Sequence, residues 1–371
     1  MKIIWFSEIK WSYLRTRKQH ILSNFDNTDE ILFVEPLSFN LKNKFNISIE
    51  KNIKYITTPQ IQNSDIIFIN YFMHFLLFKW FLKKISSFFI NRILKNNNLK
   101  PDIIITSNVF WIDYLITFKN KLNLKIIYDC NDNPLAFPNA INKSNYFRKT
   151  LDFSDHIIIP YKSYKNFIPN QFHSKVNIIS NGVDKKLIDY EIKDISELKN
   201  TNKIIMYIGS IDTRLDYKLI DYLASELSEF NFVFIGDIKH QSQTLFKQII
   251  NKRPNIFHLP SIKYVQISSY LSYADVCIIP FLKNSLSNSI LPNKIFEYSL
   301  LEKPFVMTNF NEELSDLHSD ILISKTSQEF KDLIIKQSIN QYNTKNLKNF
   351  ALKYDWKIIS KKYQDFISSI I

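Results

Sequence analysis

The chain has 371 residues, long enough for two domains of ordinary size, with 45% apolar residues and a formal charge of +13. Its two cysteines, Cys130 and Cys277, lie far apart beside β-prone runs, which fits buried thiols in a reducing compartment and excludes a disulfide framework or a cysteine metal site. The charge is lopsided: residues 1–181 hold 24 Lys and Arg against 13 Asp and Glu, whereas residues 182–371 hold 24 against 22.

The first residues, Met1 to Phe6, read as a strand and lack the apolar core of a signal peptide, so none is expected. A helical pattern, Trp11–Phe25, follows, and then strand-like runs at Ile31–Val34, Ile53–Thr57 and Ile66–Asn70. The apolar stretch 66–78 is too short to span a bilayer and is broken by Asn70 and His74. A second helical pattern covers Phe72–Asn96. No acid occurs from Ile66 to Pro101, where Lys79, Lys83, Lys84, Arg92, Lys95 and Lys100 sit among Trp80, Phe81, Phe88 and Phe89. That mixture suits an anionic membrane surface; it also suits a solvated basic face. No zinc-ligand spacing, helix-turn-helix signature or aromatic RNA-binding motif accompanies it, so nucleic acid is not an expected partner.

Strand-like runs continue at Ile103–Thr106, Ile126–Asp129, His156–Ile159 and Val176–Ile179. The polar stretch Asp184–Asn202 reads as a linker. Beyond it, runs at Ile204–Ile208, Phe232–Ile235, Ile256–His258, Val276–Ile279, Phe305–Thr308 and Ile321–Ile323 alternate with helical patterns at Tyr217–Leu227, Tyr264–Tyr273 and Asn293–Leu300. The segment Trp356–Ile371 closes as an amphipathic helix. Near-continuous Ile, Val and Phe runs alternating with helices predict a doubly wound α/β fold of parallel strands.

Only three glycines occur, Gly182, Gly209 and Gly236, where a chain of this length ordinarily carries about 26. Each follows a β-prone run. Such positions demand a positive φ or a close backbone approach, and glycine after a strand is where open α/β sheets bind phosphorylated ligands. Each alone also reads as an ordinary turn glycine.

Several segments, in order and spacing, resemble the GT-B glycosyltransferases, and in particular the retaining, family-4-type bacterial enzymes of capsule, exopolysaccharide and lipopolysaccharide synthesis. They are Arg17-Lys18-Gln19-His20, Tyr128-Asp129-Cys130-Asn131-Asp132, Asn181-Gly182-Val183-Asp184, the run from Tyr207 through Gly209 to Asp216, Tyr273-Ala274-Asp275-Val276, and Pro292-Asn293-Lys294-Ile295-Phe296-Glu297-Tyr298 followed by Lys303-Pro304. The resemblance implies two Rossmann-like domains facing a cleft. Residues 1–182 would receive the acceptor, 183–355 would bind the nucleotide sugar, and the helix at 356–371 would cross back to the first domain. It further implies a metal-independent, retaining transfer with no cofactor beyond the donor. The acceptor would be a lipid-linked saccharide, and a monomeric enzyme would work in the cytoplasm or on the inner face of the membrane.

Breaking the bond to a diphosphate builds negative charge on the leaving group, which fixed cations and a helix N-terminus can neutralise. Arg214, just beyond Gly209, and Lys294, at a helix start behind Pro292, are placed for this. Arg214 has an alternative partner in Asp212 or Asp216. Glu297 shares a helix face with Lys294 and suits two ribose hydroxyls, or a salt bridge to Lys294 itself. Gly209, Ser210, Asn293 and Tyr298 complete the implied donor set. Asp129 and Asp132, at a strand end, are the candidates for activating an acceptor hydroxyl, or else they cap a loop. Arg15, Arg17 and His20 are candidates for an acidic acceptor. Two departures stand out: Ser289 where relatives carry a first glutamate, and Ser210 where many carry a basic residue. A nicotinamide-dependent oxidoreductase would need a Gly-x-Gly-x-x-Gly turn after the first strand, where this chain has Ser7-Glu8-Ile9-Lys10. A non-catalytic GT-B-like binder of sugar or polyanion is the alternative.

Overall fold

Runs of Ile, Val and Phe become strands covered on both faces: in the first of them Ile3, Ile4, Trp5 and Phe6 are all fully buried. The computed structural model describes residues 1–13, 15–37, 42–61, 76–96, 98–136, 143–199, 203–339 and 344–371. The expected strand Ile66–Asn70 and the start of the helix expected at 72–96 lie outside them. The chain divides into two units, Met1–Ser180 with Lys357–Ile371, and Asn181–Trp356.

In the first unit the elements run β1 (Lys2–Phe6), α1 (Arg17–Ser23), β2 (Glu30–Leu37), β3 (Ser48–Glu50), β4 (Ile53–Ile61), α2 (Leu76–Asn96), β5 (Ile103–Thr106), α3 (Ile112–Leu122), β6 (Lys125–Asp129), α4 (Lys143–Phe153), β7 (His156–Ile159) and β8 (Val176–Ile178). Among the described residues its sheet has the order β3-β4-β2-β1-β5-β6-β7-β8, parallel except for the β3–β4 pair. Strand order therefore reverses between β1 and β5.

The second unit holds β9 (Ile204–Ile208), α5 (Tyr217–Glu226), β10 (Asn231–Ile235), α6 (Gln243–Lys252), β11 (Ile256–Leu259), α7 (Ile267–Ser272), β12 (Val276–Ile279), α8 (Asn293–Leu300), β13 (Phe305–Thr308), β14 (Leu322–Ser324), α9 (Ser327–Ile339) and α10 (Lys345–Leu352). Its parallel sheet has the order β11-β10-β9-β12-β13-β14, with the reversal between β9 and β12. This is the doubly wound dinucleotide-fold order, in which ligands bind outside the carboxyl ends of the strands at the reversal.

The last helix, α11 (Trp356–Ile370), belongs to the first unit after its first residue. Its amphipathic pattern buries Ile359, Tyr363 and Ile367. Ser360 Oγ donates to the Ile21 carbonyl at 3.0 Å, and Gln364 Nε2 donates to Asp29 at 2.6 Å.

Two expectations change. The helix expected from Trp11 begins only at Arg17, because Trp11 donates its backbone N–H to the Glu35 carboxylate (2.8 Å) while Lys10 Nζ binds the same carboxylate at 3.1 Å. That buried pair holds residues 10–13 in a turn. The stretch 184–199 is no linker but part of the second unit: Leu187, Ile195 and Leu198 are buried, Lys193 N–H donates to Ser269 Oγ and Ile195 N–H to Tyr273 Oη. Its polar composition hides three apolar anchors.

Candidate functional site

In the second unit the loops after β9, β10 and β12 meet at the strand reversal. Gly209 and Gly236 have φ values of +145° and +148°, a region side chains rarely enter. A Cβ on Gly236 would strike the Gly209 carbonyl, lying 2.7 Å from its carbon, so the two turns touch backbone to backbone. A Cβ on Gly209 would collide with Lys294 Nζ and lie 2.8 Å from its Cε. The missing side chain is therefore the space that Lys294 occupies.

Lys294 stands in the first turn of α8 behind Pro292 and is half-buried. Its ammonium lies 4.9 Å from the Tyr207 ring centroid and 5.8 Å from that of Phe281, and it forms no hydrogen bond or ion pair with any described residue. Burial, then the nearby Arg214 charge, lowers its pKa to about 8, with Glu297 and Asp212 opposing. Glu297, one turn on, is likewise half-buried and has no ion pair among the described residues, and burial pushes its carboxyl up against the pull of Lys294. The alternative of a Lys294–Glu297 salt bridge is therefore not what forms.

Arg214 does take the alternative partner. Its Nε donates to both Asp212 oxygens, at 2.9 and 3.1 Å, and Nη2 to Oδ2 at 2.5 Å, while the guanidinium lies 5.5 Å from the Phe281 ring. Burial raises the Asp212 carboxyl, but the Arg214 bonds and charge outweigh it and hold it low. Ser210 is half-buried and offers its carbonyl to Tyr207 Oη at 2.9 Å. Asn293 opens α8. Tyr298 is fully buried behind the site, its hydroxyl accepting the Ile208 N–H at 3.2 Å. Ser289 is also buried. Gly209, Arg214, Lys294 and Glu297 are thus brought to one strand end.

In the first unit the reversal between β1 and β5 opens into a cavity of about 240 Å³ lined by Glu8, Ser107, Asn108, Tyr128, Asp132 and Lys143, among others. Glu8 is fixed from behind: Lys18 pairs with one carboxylate oxygen and Ser107 Oγ donates to the other at 2.6 Å. Asp132 is exposed on the cavity wall. Asp129 is fully buried beneath it, 3.3 and 3.4 Å from Arg17 Nε. Burial raises its pKa against the pull of Arg17 and Lys18. Arg17 also donates to the carbonyls of Ile179 (2.7 Å) and Ser180 (2.6 Å), so the pair ties α1 and β6 to the end of the first unit's main segment. His20 is buried in α1, and Arg15 is exposed 3.8 Å from Glu50. Arg15, Arg17 and His20 do not share a surface. Glu8 and Ser107 escaped the sequence reading as site residues, and Lys18 entered it only within the Arg17–His20 segment, although Glu8 follows the first strand, where the switch point of such a sheet falls.

Residues 202–338, which contain this second-unit cradle, match the family model described as glycosyl transferases group 1. The second unit carries a group 1 glycosyltransferase domain. The chain is 24% identical over 202 residues to the putative teichuronic acid biosynthesis glycosyltransferase TuaH of Bacillus subtilis, a match covering 50% of each protein, so the match spans about half the length of that curated relative. Two solved structures of similar fold are sucrose-phosphate synthase from Thermosynechococcus elongatus (TM-score 0.77, 9% identity, 100% of this chain and 99% of that one) and Anabaena HepE in complex with UDP and glucose (TM-score 0.70, 15% identity, 100% of each). Two doubly wound units with these neighbours make the fold GT-B. In the group 1 domain, the loop after β9 supplies both the strand-end glycine and the guanidinium, the loop after β12 supplies the Phe281 ring, and α8 supplies the ammonium that has no partner among the described residues.

Proposed function

We propose that the protein transfers a sugar from a nucleoside diphosphate sugar to a saccharide acceptor in the assembly of a bacterial surface polysaccharide. The observation that carries this reading is the unpaired Lys294 ammonium beside Gly209, at the strand reversal and at a helix start. A half-buried cation without a counterion is a site made for an anion, and a diphosphate fits it. As the sugar leaves, charge builds on the diphosphate; Lys294 stabilises it, with Arg214 held in reserve by Asp212 and the α8 N-terminus adding its partial charge. Those fixed charges do the work a divalent metal would otherwise do, so the reading includes metal independence, and a retaining course goes with the group 1 likeness. Glu297 is the acceptor for ribose hydroxyls. TuaH, by its name a teichuronic acid enzyme, and HepE, seen with UDP and glucose, support the donor class and the setting.

On the acceptor side Asp132 is favoured over Asp129, because Asp132 is exposed on the cavity wall whereas Asp129 is fully buried against Arg17. The acceptor is a lipid-linked saccharide in this reading, and α2 holds the enzyme at the cytoplasmic surface of the membrane: Trp80, Phe81 and Phe88 are more than half exposed, and Lys84 Nζ lies 5.4 Å from the Trp80 ring.

Calorimetry with UDP, GDP and their sugar conjugates in the presence of a chelator tests the donor site. Binding without metal is expected, with Lys294→Ala costing about 1–3 kcal/mol for the diphosphate and little for the bare nucleoside. Loss of binding on chelation, or equal losses for nucleotide and nucleoside, would overturn it.

A further inference from the structure

A second cavity, of about 400 Å³, lies at the carboxyl ends of β12, β13 and β14 and shares only Phe281 with the donor cradle. Its size is within the roughly 300–1,000 Å³ range of small-molecule sites. One part of its wall is built of donors. Ser324, at the end of β14, is only 2% exposed, yet its hydroxyl forms no hydrogen bond with any described residue. Beside it stand Lys325, whose ammonium has no ion pair there, and the start of the 13-residue helix α9. At that helix end Thr326 Oγ1 accepts the Glu329 N–H (3.1 Å) and the Glu329 carboxylate accepts the Lys325 N–H (2.7 Å). The N–H groups of Ser327 and Gln328 keep no partner among the described residues. Elsewhere the cavity is lined by the Asp216 carboxylate, which caps α5 through the Leu219 N–H at 3.0 Å, and by the Asn309 amide.

We infer that this cavity is a saccharide site for a sugar bearing an oxyanion, either a carboxylate or a phosphate. The oxyanion takes the Ser324 hydroxyl, the Lys325 ammonium and the Ser327 N–H at the positive end of α9. Ring hydroxyls donate to Asp216 and exchange hydrogen bonds with Asn309. A bare phosphate finds the Asp216 carboxylate repulsive and leaves Asn309 unused. A neutral sugar leaves the Ser324 hydroxyl and Lys325 with nothing to neutralise. The chemistry differs from that of the donor cradle and stands whether or not the donor is a nucleotide sugar.

The test is calorimetry on the full chain carrying Lys294→Ala, so that anions at the donor cradle do not report, with glucuronate, glucose 6-phosphate, glucose and inorganic phosphate as the four probes. Glucuronate, glucose 6-phosphate or both should bind at least about tenfold more tightly than glucose or phosphate, and whichever of the two binds names the oxyanion. Ser324→Ala and Lys325→Ala should each weaken that binding about tenfold, the loss of one charge-assisted contact. Lys325 is exposed, so its substitution leaves the fold intact and keeps the test decisive. No binding, equal binding of glucose or phosphate, or indifference to Lys325→Ala would overturn the assignment. A parallel UDP titration of the unsubstituted chain reports the donor cradle alone, so the two readings fail separately.

Discussion

Lys294 costs the fold something that its ligand would return. Its pKa lies at about 8 against an ordinary 10.5, chiefly through burial and then through Arg214. Below about pH 8 the side chain is protonated both folded and unfolded, and the whole penalty of the buried charge is present. Between about 8 and 10.5 the unfolded chain binds a proton that the folded chain does not, so this group makes the protein more stable as pH rises across that window. Diphosphate binding runs the other way, because the anion needs the ammonium. UDP affinity is expected to fall by up to about tenfold per pH unit above pH 8, with proton uptake on binding visible as a dependence of the calorimetric heat on the buffer's ionisation enthalpy. An affinity flat from pH 7 to 9.5 would remove Lys294 from the diphosphate. The residue scale also shows why two of the three glycines signalled a site: at Gly209 and Gly236 the backbone conformation and the touching turns exclude a Cβ, whereas Gly182 lies against Tyr354 and Trp356, away from it. The pairing of Asp129 with Arg17 was not legible, since the partners stand 112 positions apart and nothing local announces them.

At the scale of elements, strands were legible because burial on both faces leaves an unbroken apolar run, as in Ile103–Thr106 and Ile204–Ile208. The start of α1 was not, because a buried Lys10–Glu35 pair from two different elements decides it. The three-residue edge strand β3 is too short and too polar to carry a periodicity. Helix α2 presents a second kind of information. Ile90 and Leu94 are buried, while Trp80, Phe81, Phe88, Lys84, Arg92 and Lys95 are exposed. Each basic residue at an anionic surface contributes about 1 kcal/mol, and the aromatic rings add apolar burial. The chain is expected to sediment with anionic vesicles at low salt, to release at high salt, and to lose binding when Lys84, Arg92 and Lys95 are changed to Glu. Binding indifferent to lipid charge and to salt would leave α2 as a solvated basic face.

At the scale of the molecule the two units are unequal in how they are written. The second is one continuous segment, and its ends are stitched together: Val183 N–H donates to the Tyr354 carbonyl at 2.9 Å and Trp356 N–H to the Val183 carbonyl at 2.9 Å. A Cβ on Gly182 would lie 2.5 Å from that same Tyr354 carbonyl and 3.1 Å from the Trp356 ring, which gives the third glycine its reason. The first unit is split, and α11 supplies Tyr363 to its core between Trp5 and Phe25, with ring centroids 5.8 and 6.3 Å away. Tyr363→Ala should cost about 3–5 kcal/mol in that unit alone. Hydrogen exchange followed by mass spectrometry should rise in residues 1–180 and stay unchanged in 181–356; a uniform rise would mean that the units unfold as one.

The split has a consequence for how the protein comes into being. A ribosome synthesises all of residues 181–356 before it reaches 357–371. The unit that begins first is therefore finished last, and the apolar groove awaiting Ile359, Tyr363 and Ile367 stays open to solvent, and to chaperones, for the whole time the other unit is being made.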